Sequence, residues 1–356
     1  MTTFTYDGLP GRVVFGAGAA RTELLGEVDL LGAERILLIS SGPEGETATR
    51  LCAPFADRLI ETFSGVRPHV PVDVAELARE AAAEADLVLS VGGGSTTGTA
   101  KAVALTTALP IIAVPTTYAG SEVTPVWGMT DKGRKTTGTD RRVLPKTVVY
   151  DPELTLSLPV ELSAASGLNA VAHCVEAFWA PGRNPVSSAV AEDGIRHLAN
   201  GLATIATTPT DPATRTELLL GAYLAGSAFA VAGSGLHHKI CHVLGGAFDL
   251  PHAQTHAIVL PHVLAYNAPN APEAADRISR ALGRSGFVDG LREVGEKLGV
   301  PAGLRDLGMT EADIEAVIED ILAIAPADNP TPVTPAGLRA ILHAAWAGSD
   351  LARHTP

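Results

Sequence analysis

VGGGSTTGTAKAVAL, residues 91–105, decides the reading of the fold. It completes an apolar run, ADLVLSV (85–91), and leads into a stretch rich in small helix-forming residues, the pattern of a strand turning into a helix. Glycines at 92, 93 and 94 allow the backbone to approach a phosphate whose charge faces the helix N-terminus. Ser95 is placed to cap that helix and donate a hydrogen bond. Lys101 does not complete a Walker motif, because the Gly-Lys-Ser/Thr order is absent.

Working outward, RILLIS (35–40) lies upstream and PIIAVPTT (110–117) downstream, each a continuous β-branched run of the kind buried on both faces. Strands alternating with Ala- and Glu-rich helical segments predict a parallel sheet, with two strand ends presenting Gly, Ser and Thr to one crevice. FGAGAA (15–20) begins like a dinucleotide fingerprint, but Ala20 and Arg21 stand where the last glycine is wanted, which predicts a plain turn. An acid at the end of the neighbouring strand usually pairs with the ribose hydroxyls and repels a 2'-phosphate. Here RILLIS is followed by Ser41 and Gly42, so NADPH is expected to be admitted as well as NADH.

After VVYDPEL (148–154) strand-like runs stop and helical periodicity continues to AILHAAWAG (340–348). The boundary is expected near 158–161, dividing an α/β dinucleotide-binding domain (1–159) from an α-helical catalytic and substrate domain (160–356). A chain of 356 residues accommodates both, at roughly 100–200 residues per domain.

Acidic residues outnumber basic ones by 39 to 26, and no long Lys/Arg block is present, which argues against a nucleic-acid partner. With aromatic residues at only 4%, Ala, Val, Leu and Gly must fill the core. Three cysteines, Cys52, Cys174 and Cys241, match no zinc spacing and are too few for a secreted scaffold, so a cytoplasmic location is expected. MTTFTYDGLPGRVVFG lacks the basic start and apolar run of a signal peptide. Leu218 to Leu236 is uncharged and long enough for a membrane span, yet it holds four glycines and two serines, which predicts a buried helix and no membrane.

Six of the eleven histidines, His237, His238, His242, His252, His256 and His262, fall between 237 and 262. His238 and His242 are spaced to share one helix face, as are His252 and His256, and Asn169 and His173 repeat that spacing upstream. Imidazoles converging from several helices can ligate a divalent cation or move protons near neutral pH. His197, His343 and His354 stand apart and read as structural. Cys174 and Cys241 each adjoin a histidine in sequence, but helix neighbours point in different directions, and burial is the expectation for both.

With GGGS at 92–95, PTTYAGSEVT at 115–124, YDPEL at 150–154 and the histidine helices in that order, the sequence resembles the iron-containing (group III) alcohol dehydrogenase family over at least Phe15 to Val263. The segments FTYDGLPGRVVFGAG (4–18), GLNAVAHCVEA (167–177) and GLHHKICHVLGGAFDLPHAQTHAIVLPHV (235–263) are similar to a branch that uses NADH or NADPH to convert maleylacetate to 3-oxoadipate. The resemblance implies a Rossmann-like domain followed by a helical one, as in dehydroquinate synthase, with the active site in the cleft between them, and a homodimer. It further implies that Gly93, Gly94 and Ser95 hold the pyrophosphate and that Thr116, Thr117, Thr124 and Lys135 line the adenine and ribose path. Ser41 matches the position where many relatives carry an acid that excludes NADPH.

The family's metal is held by an Asp and three His, and the matching positions are Asn169, His173, His238 and His252. The missing carboxylate predicts weak affinity for Fe(II) or Zn(II) and no requirement for a metal. His242 and His252 are the expected proton donors, with His173 and His238 completing the polar wall, and Asn169 and His237 are expected to bind the substrate. A dicarboxylate substrate calls for Lys239, Arg134, and Arg141 or Arg142 in the mobile-looking stretch GRKTTGTDRR (133–142). Two alternatives stay open: a metal-dependent alcohol or aldehyde reductase, in which Asn169 still ligates, and a sugar-phosphate cyclase that recycles NAD.

Overall fold

The structure, a computed structural model, describes residues 4–9, 11–132 and 134–349. The chain alternates β1 (Arg12–Phe15), α1 (Ala19–Thr22), α2 (Leu24–Leu30), β2 (Ile36–Ser40), α3 (Gly45–Cys52), β3 (Leu59–Phe63), α4 (Val72–Ala81), β4 (Leu87–Gly92), α5 (Gly94–Thr107) and β5 (Ile111–Pro115). A hairpin of β6 (Val126–Asp131) and β7 (Arg134–Thr139) precedes the last strand, β8 (Thr147–Tyr150). Six strands form a parallel sheet in the order β1-β8-β5-β4-β2-β3, while β6 and β7 pair antiparallel by themselves.

Side chains alternate across each strand. Ile36, Leu38, Leu87, Leu89 and Val91 pack with Leu24, Val28, Ala48 and Phe55 on one face, whereas Leu37, Ile39, Val88 and Ile111 meet Ala78, Ala100 and Val103 on the other. Helices therefore cover both faces, which is why these strands read as unbroken apolar runs instead of alternating ones.

After β8 the described residues form helices and no further strand: α6 (Val160–Ala177), α7 (Pro185–Thr204), α8 (Pro212–Ala232), α9 (Leu236–Phe248), α10 (His252–Asn267), α11 (Pro272–Leu282), α12 (Phe287–Lys297), α13 (Asp313–Ile324) and α14 (Pro335–Ala347), with short 3-10 turns between some of them. The chain divides into two compact units, Leu9–Leu158 with Thr210–Leu219, and Met1–Gly8 with Pro159–Pro209 and Leu220–Pro356. The start of α8 belongs with the sheet because of Arg215. Its buried guanidinium donates to the Tyr118 hydroxyl at 3.0 Å and to the Leu158 carbonyl at 2.8 Å.

The stretch GRKTTGTDRR, read as mobile-looking, contains a strand: Arg134–Thr139 is β7, registered residue by residue against β6. The uncharged stretch 218–236 is not one helix, since α8 ends at Ala232, Gly233 takes a φ of +86°, and α9 leaves at 101° to α8. No single helix among the described residues is long and apolar enough to cross a membrane, and Leu218, Leu219, Ala222 and Ala225 are buried.

Candidate active site

The glycine turn joins two buried elements. β4 is buried throughout, and α5 starts at Gly94 with Gly93 as its N-cap. Ser95 is thus inside the first turn and does not cap the helix. Residues 93–95 are partly exposed between those buried elements, so the first N–H groups of α5, which a helix cannot satisfy internally, face outward. Gly92 has φ +153°, and a Cβ there would lie 2.4 Å from Thr96 Oγ1. A Cβ on Gly93 would meet the Thr117 methyl at 3.0 Å, and one on Gly94 would meet Ala119 at 3.2 Å. Thr116, at the end of β5, has a buried hydroxyl with no protein partner. A cradle that a single methyl would fill, next to an unused hydroxyl, suits the pyrophosphate of a dinucleotide.

Thr124 is committed elsewhere. Its hydroxyl donates to the Ser121 carbonyl at 3.0 Å and accepts from Lys101 Nζ at 3.1 Å. Lys101 is itself fully buried and donates to the carbonyls of Ser121, Thr124 and Val126 at 2.6–2.8 Å. Burial pushes its pKa down to about 7, against the opposing pull of Glu122. Lys101 therefore works as a clamp that ties the loop of residues 121–126 to α5. Lys135 lies half-buried on β7, beside Gly128.

The turn at 16–20 carries no ligand-binding capacity of this kind. The N–H groups of Gly18 and Ala20 donate to the two Asp151 carboxylate oxygens at 3.0 and 3.1 Å, so the acid of YDPEL fills that position.

In the helical unit, α6, α8, α9 and α10 bring together Asn169, His173, Phe229, His238, His242, His252 and His256. The His173 and His238 rings lie 4.9 Å apart and nearly parallel, with Phe229 within 4.8 Å of both. His252 and His256 are 4.2 Å apart by ring centroids, and His238 and His242 6.0 Å. Exposure grades across the set: His252 is exposed, His242 half-buried, Asn169, His173 and His238 buried, and His237 and His256 wholly enclosed. Asn169 Oδ1 and His173 Nδ1 are buried with no protein partner, as expected of groups awaiting a ligand.

His237, expected to bind the substrate, lies behind the wall instead. Its ring is fully buried, its Nε2 lies 3.0 Å from His256 Nδ1 and 3.8 Å from Cys241 Sγ, and it supports the wall from behind. Cys174 is buried as well, and desolvation pushes its thiol pKa up. His197 and His343 lie away from the wall, beside Asp193 and Glu311, and His354 lies outside the described residues.

Glu176 was missed in the sequence. It sits on α6 one turn beyond His173, completely buried, with one carboxylate oxygen 2.6 Å from His238 Nδ1. The N–H groups of Gly235 and His237 donate to it at 2.8 and 2.6 Å, anchoring the start of α9. Burial raises its pKa, while the His237 ring and these hydrogen bonds pull the other way. A carboxylate on Nδ1 fixes the imidazole's orientation and stabilises its protonated form. The signal was present in GLNAVAHCVEAF: Asn169, His173 and Glu176 follow an i, i+4, i+7 pattern on one face of an otherwise apolar helix.

The positions that match the family's metal ligands are Asn169, His173, His238 and His252, on α6, α9 and α10. Asn169 is a neutral amide. Among the described residues, the group of three or more His, Cys, Asp or Glu whose donor atoms lie within 4.8 Å of one another is His237, Cys241 and His256, and these are not the family's positions. Of the expected cations, Arg142 is paired with Asp140 at 2.6 Å, and Arg134 and Arg141 are exposed. Lys239 is half-buried and three residues from His242, on the same side of α9.

The enclosed imidazoles carry a pH prediction. Burial, reinforced by neighbouring imidazoles, pushes His173 and His256 well below the usual histidine range and His237 to about 3. The unfolded chain takes up these protons near pH ~6.5, while the folded state keeps the rings neutral. Stability is therefore complete above that pH and is lost as the pH falls toward 3, by up to about 1.4 kcal/mol per pH unit for each ring. Urea midpoints measured from neutral pH downward should fall, and His256→Asn should flatten the slope.

The sequence matches the iron-containing alcohol dehydrogenase family over residues 10–152 and that family's C-terminal region over 163–346. It is 49% identical to the maleylacetate reductase of Sphingobium indicum over 348 residues, covering 97% of this chain and 98% of the relative. Among solved structures, the maleylacetate reductase of a Rhizobium species superposes with a TM-score of 0.91 at 42% identity, covering 98% of this chain and 99% of that one. An iron-containing alcohol dehydrogenase of Corynebacterium glutamicum superposes with a TM-score of 0.95 at 48% identity over the full length of both.

Proposed function

Since this chain belongs to the iron-containing alcohol dehydrogenase family, we propose that it is an oxidoreductase that reduces the carbon–carbon double bond of maleylacetate to give 3-oxoadipate, with NADH or NADPH as reductant. The observation that carries this reading is a histidine wall built around an amide. Asn169 stands where a metal site needs its anionic ligand, and His238 is instead held by a buried carboxylate.

The glycine cradle would hold the pyrophosphate of the dinucleotide, whose reduced nicotinamide would supply a hydride when bound. The chain's own residues handle the charge that this creates. Addition of hydride to an alkene conjugated to a ketone leaves negative charge on the carbonyl oxygen as an enolate. His238, with Nδ1 held by Glu176, stabilises that oxygen through a proton on Nε2, and Glu176 favours that protonated form. His242 and His252, the more exposed members, carry the proton that completes the carbon centre from solvent. Asn169 and His173 offer neutral polar atoms that orient the substrate. Because His173, His237 and His256 stay neutral, the two substrate carboxylates need other partners, for which Lys239 and Arg134 are our candidates.

The cofactor path is proposed to run along Gly93, Gly94, Ser95, Thr116 and Thr117, with Thr124 acting through the loop that it braces and Lys135 at the edge. Cytoplasmic location and a homodimer complete the reading. The former is supported by Cys52, Cys174 and Cys241, which are buried and form no disulfide, and the latter by the family.

The decisive assay follows NADH consumption with maleylacetate on protein purified with EDTA, with metal measured in the same sample. Turnover with far less than one metal per chain is expected. Turnover appearing only after Fe(II) or Zn(II) is added would reject metal independence, and none under either condition would reject the substrate.

A further inference from the structure

The end of β2 lacks an acid in sequence, but the structure supplies one three residues later. The Ser41 hydroxyl donates to the Glu44 carboxylate. β2 runs parallel to β4 with Ser40 opposite Val91, which puts Ser41 level with Gly92, the first residue of the cradle. Adjacent strands lie about 4.8 Å apart, so a carboxylate held at Ser41 occupies the rim of the cradle on its β2 side.

On parallel α/β sheets that side receives the adenosine ribose: a carboxylate there accepts from the 2'- and 3'-hydroxyls, and an arginine there accepts a 2'-phosphate. The first basic residue after Glu44 is Arg50, and it donates to another acid, Glu46, at 2.6 Å. The segment therefore presents its net negative charge to the ribose. We propose that Glu44 sets the cofactor choice of this protein, pairing with the ribose hydroxyls of NADH and repelling the 2'-phosphate of NADPH. Ser41 does not open the site to NADPH; it holds the acid in place.

This assignment rests on the reading of the glycine turn as a nicotinamide-cofactor site, so the test measures binding without turnover. NADH and NADPH are titrated by nucleotide fluorescence against the wild type, Glu44→Gln and Glu44→Asp, at low and high salt. The wild type should bind NADH on the order of tenfold more tightly than NADPH, and the gap should narrow as salt screens the half-buried carboxylate. Glu44→Gln should bring the two affinities within about threefold, mainly by tightening NADPH, whereas Glu44→Asp, which keeps the charge, should retain much of the preference. Equal affinities in the wild type, or a ratio unchanged in Glu44→Gln, would overturn the assignment. If the wild type bound neither nucleotide, the cofactor reading itself would fall and take this assignment with it.

Discussion

Replacing Glu176 with glutamine is expected to lower kcat for maleylacetate reduction by about 10²- to 10³-fold with little change in KM, the signature of an interaction made mainly in the transition state. The substitution keeps the shape and removes the charge. One carboxylate oxygen accepts from the His237 N–H, and the other accepts from the Gly235 N–H and His238 Nδ1. The new NH₂ group must face a backbone donor in either orientation. Facing His237 costs a single buried hydrogen bond, about 1–3 kcal/mol of stability, and leaves the amide oxygen on His238. His238 then keeps its orientation but loses the anion that favours its protonated form. Glu176→Ala leaves several buried donors without a partner and should cost stability and activity together. Steady-state kinetics beside thermal melts separate the two effects. A folded Glu176→Gln protein with unchanged kcat would remove Glu176 from the reaction.

Gly92→Ala is the second large effect, and it acts on binding. NADH affinity should fall by at least about 10²-fold, because a methyl group at φ +153° lies 2.4 Å from Thr96 Oγ1 and 2.9 Å from Thr96 Cβ, on a side chain that is itself buried. The turn must move, and the amides proposed to hold the pyrophosphate move with it. Gly26→Ala is the control: the residue is exposed on α2, nothing lies within 4 Å of the added methyl, and helix propensity favours alanine by roughly 1 kcal/mol. Equilibrium titration of NADH against the two variants should separate them clearly. Equal affinities would mean that the cradle does not touch the cofactor.

What was legible in the sequence was local. β2, β4 and β5 stand out because strands buried on both faces are continuous apolar runs, and the glycine turn stands out because few residues other than glycine tolerate its backbone. The His238/His242 and His252/His256 pairs follow from helical spacing alone. What was hidden depends on partners distant in the chain. Glu176 meets His238 across 62 residues, Asp151 meets Gly18 across 133, and no periodicity records either contact. His237 and His238 are adjacent and chemically identical in sequence, and only the packing of α10 decides that one faces the wall and the other supports it. The GRKTTGTDRR stretch misled because exposed hairpin strands rich in Thr and Arg have the composition of a loop.

The carboxylate of Asp151 has one more consequence, for competition by small anions. Two of the glycine-containing turns that follow a parallel strand, those at 16–20 and 92–95, are candidates by sequence for holding an anion. At the first, the amides of Gly18 and Ala20 are already occupied by a carboxylate of the same chain. That turn is a receptor permanently saturated from within. Under the cofactor reading proposed above, free phosphate or sulfate is expected to compete at the turn of 92–95, so raising its concentration should weaken nucleotide binding there.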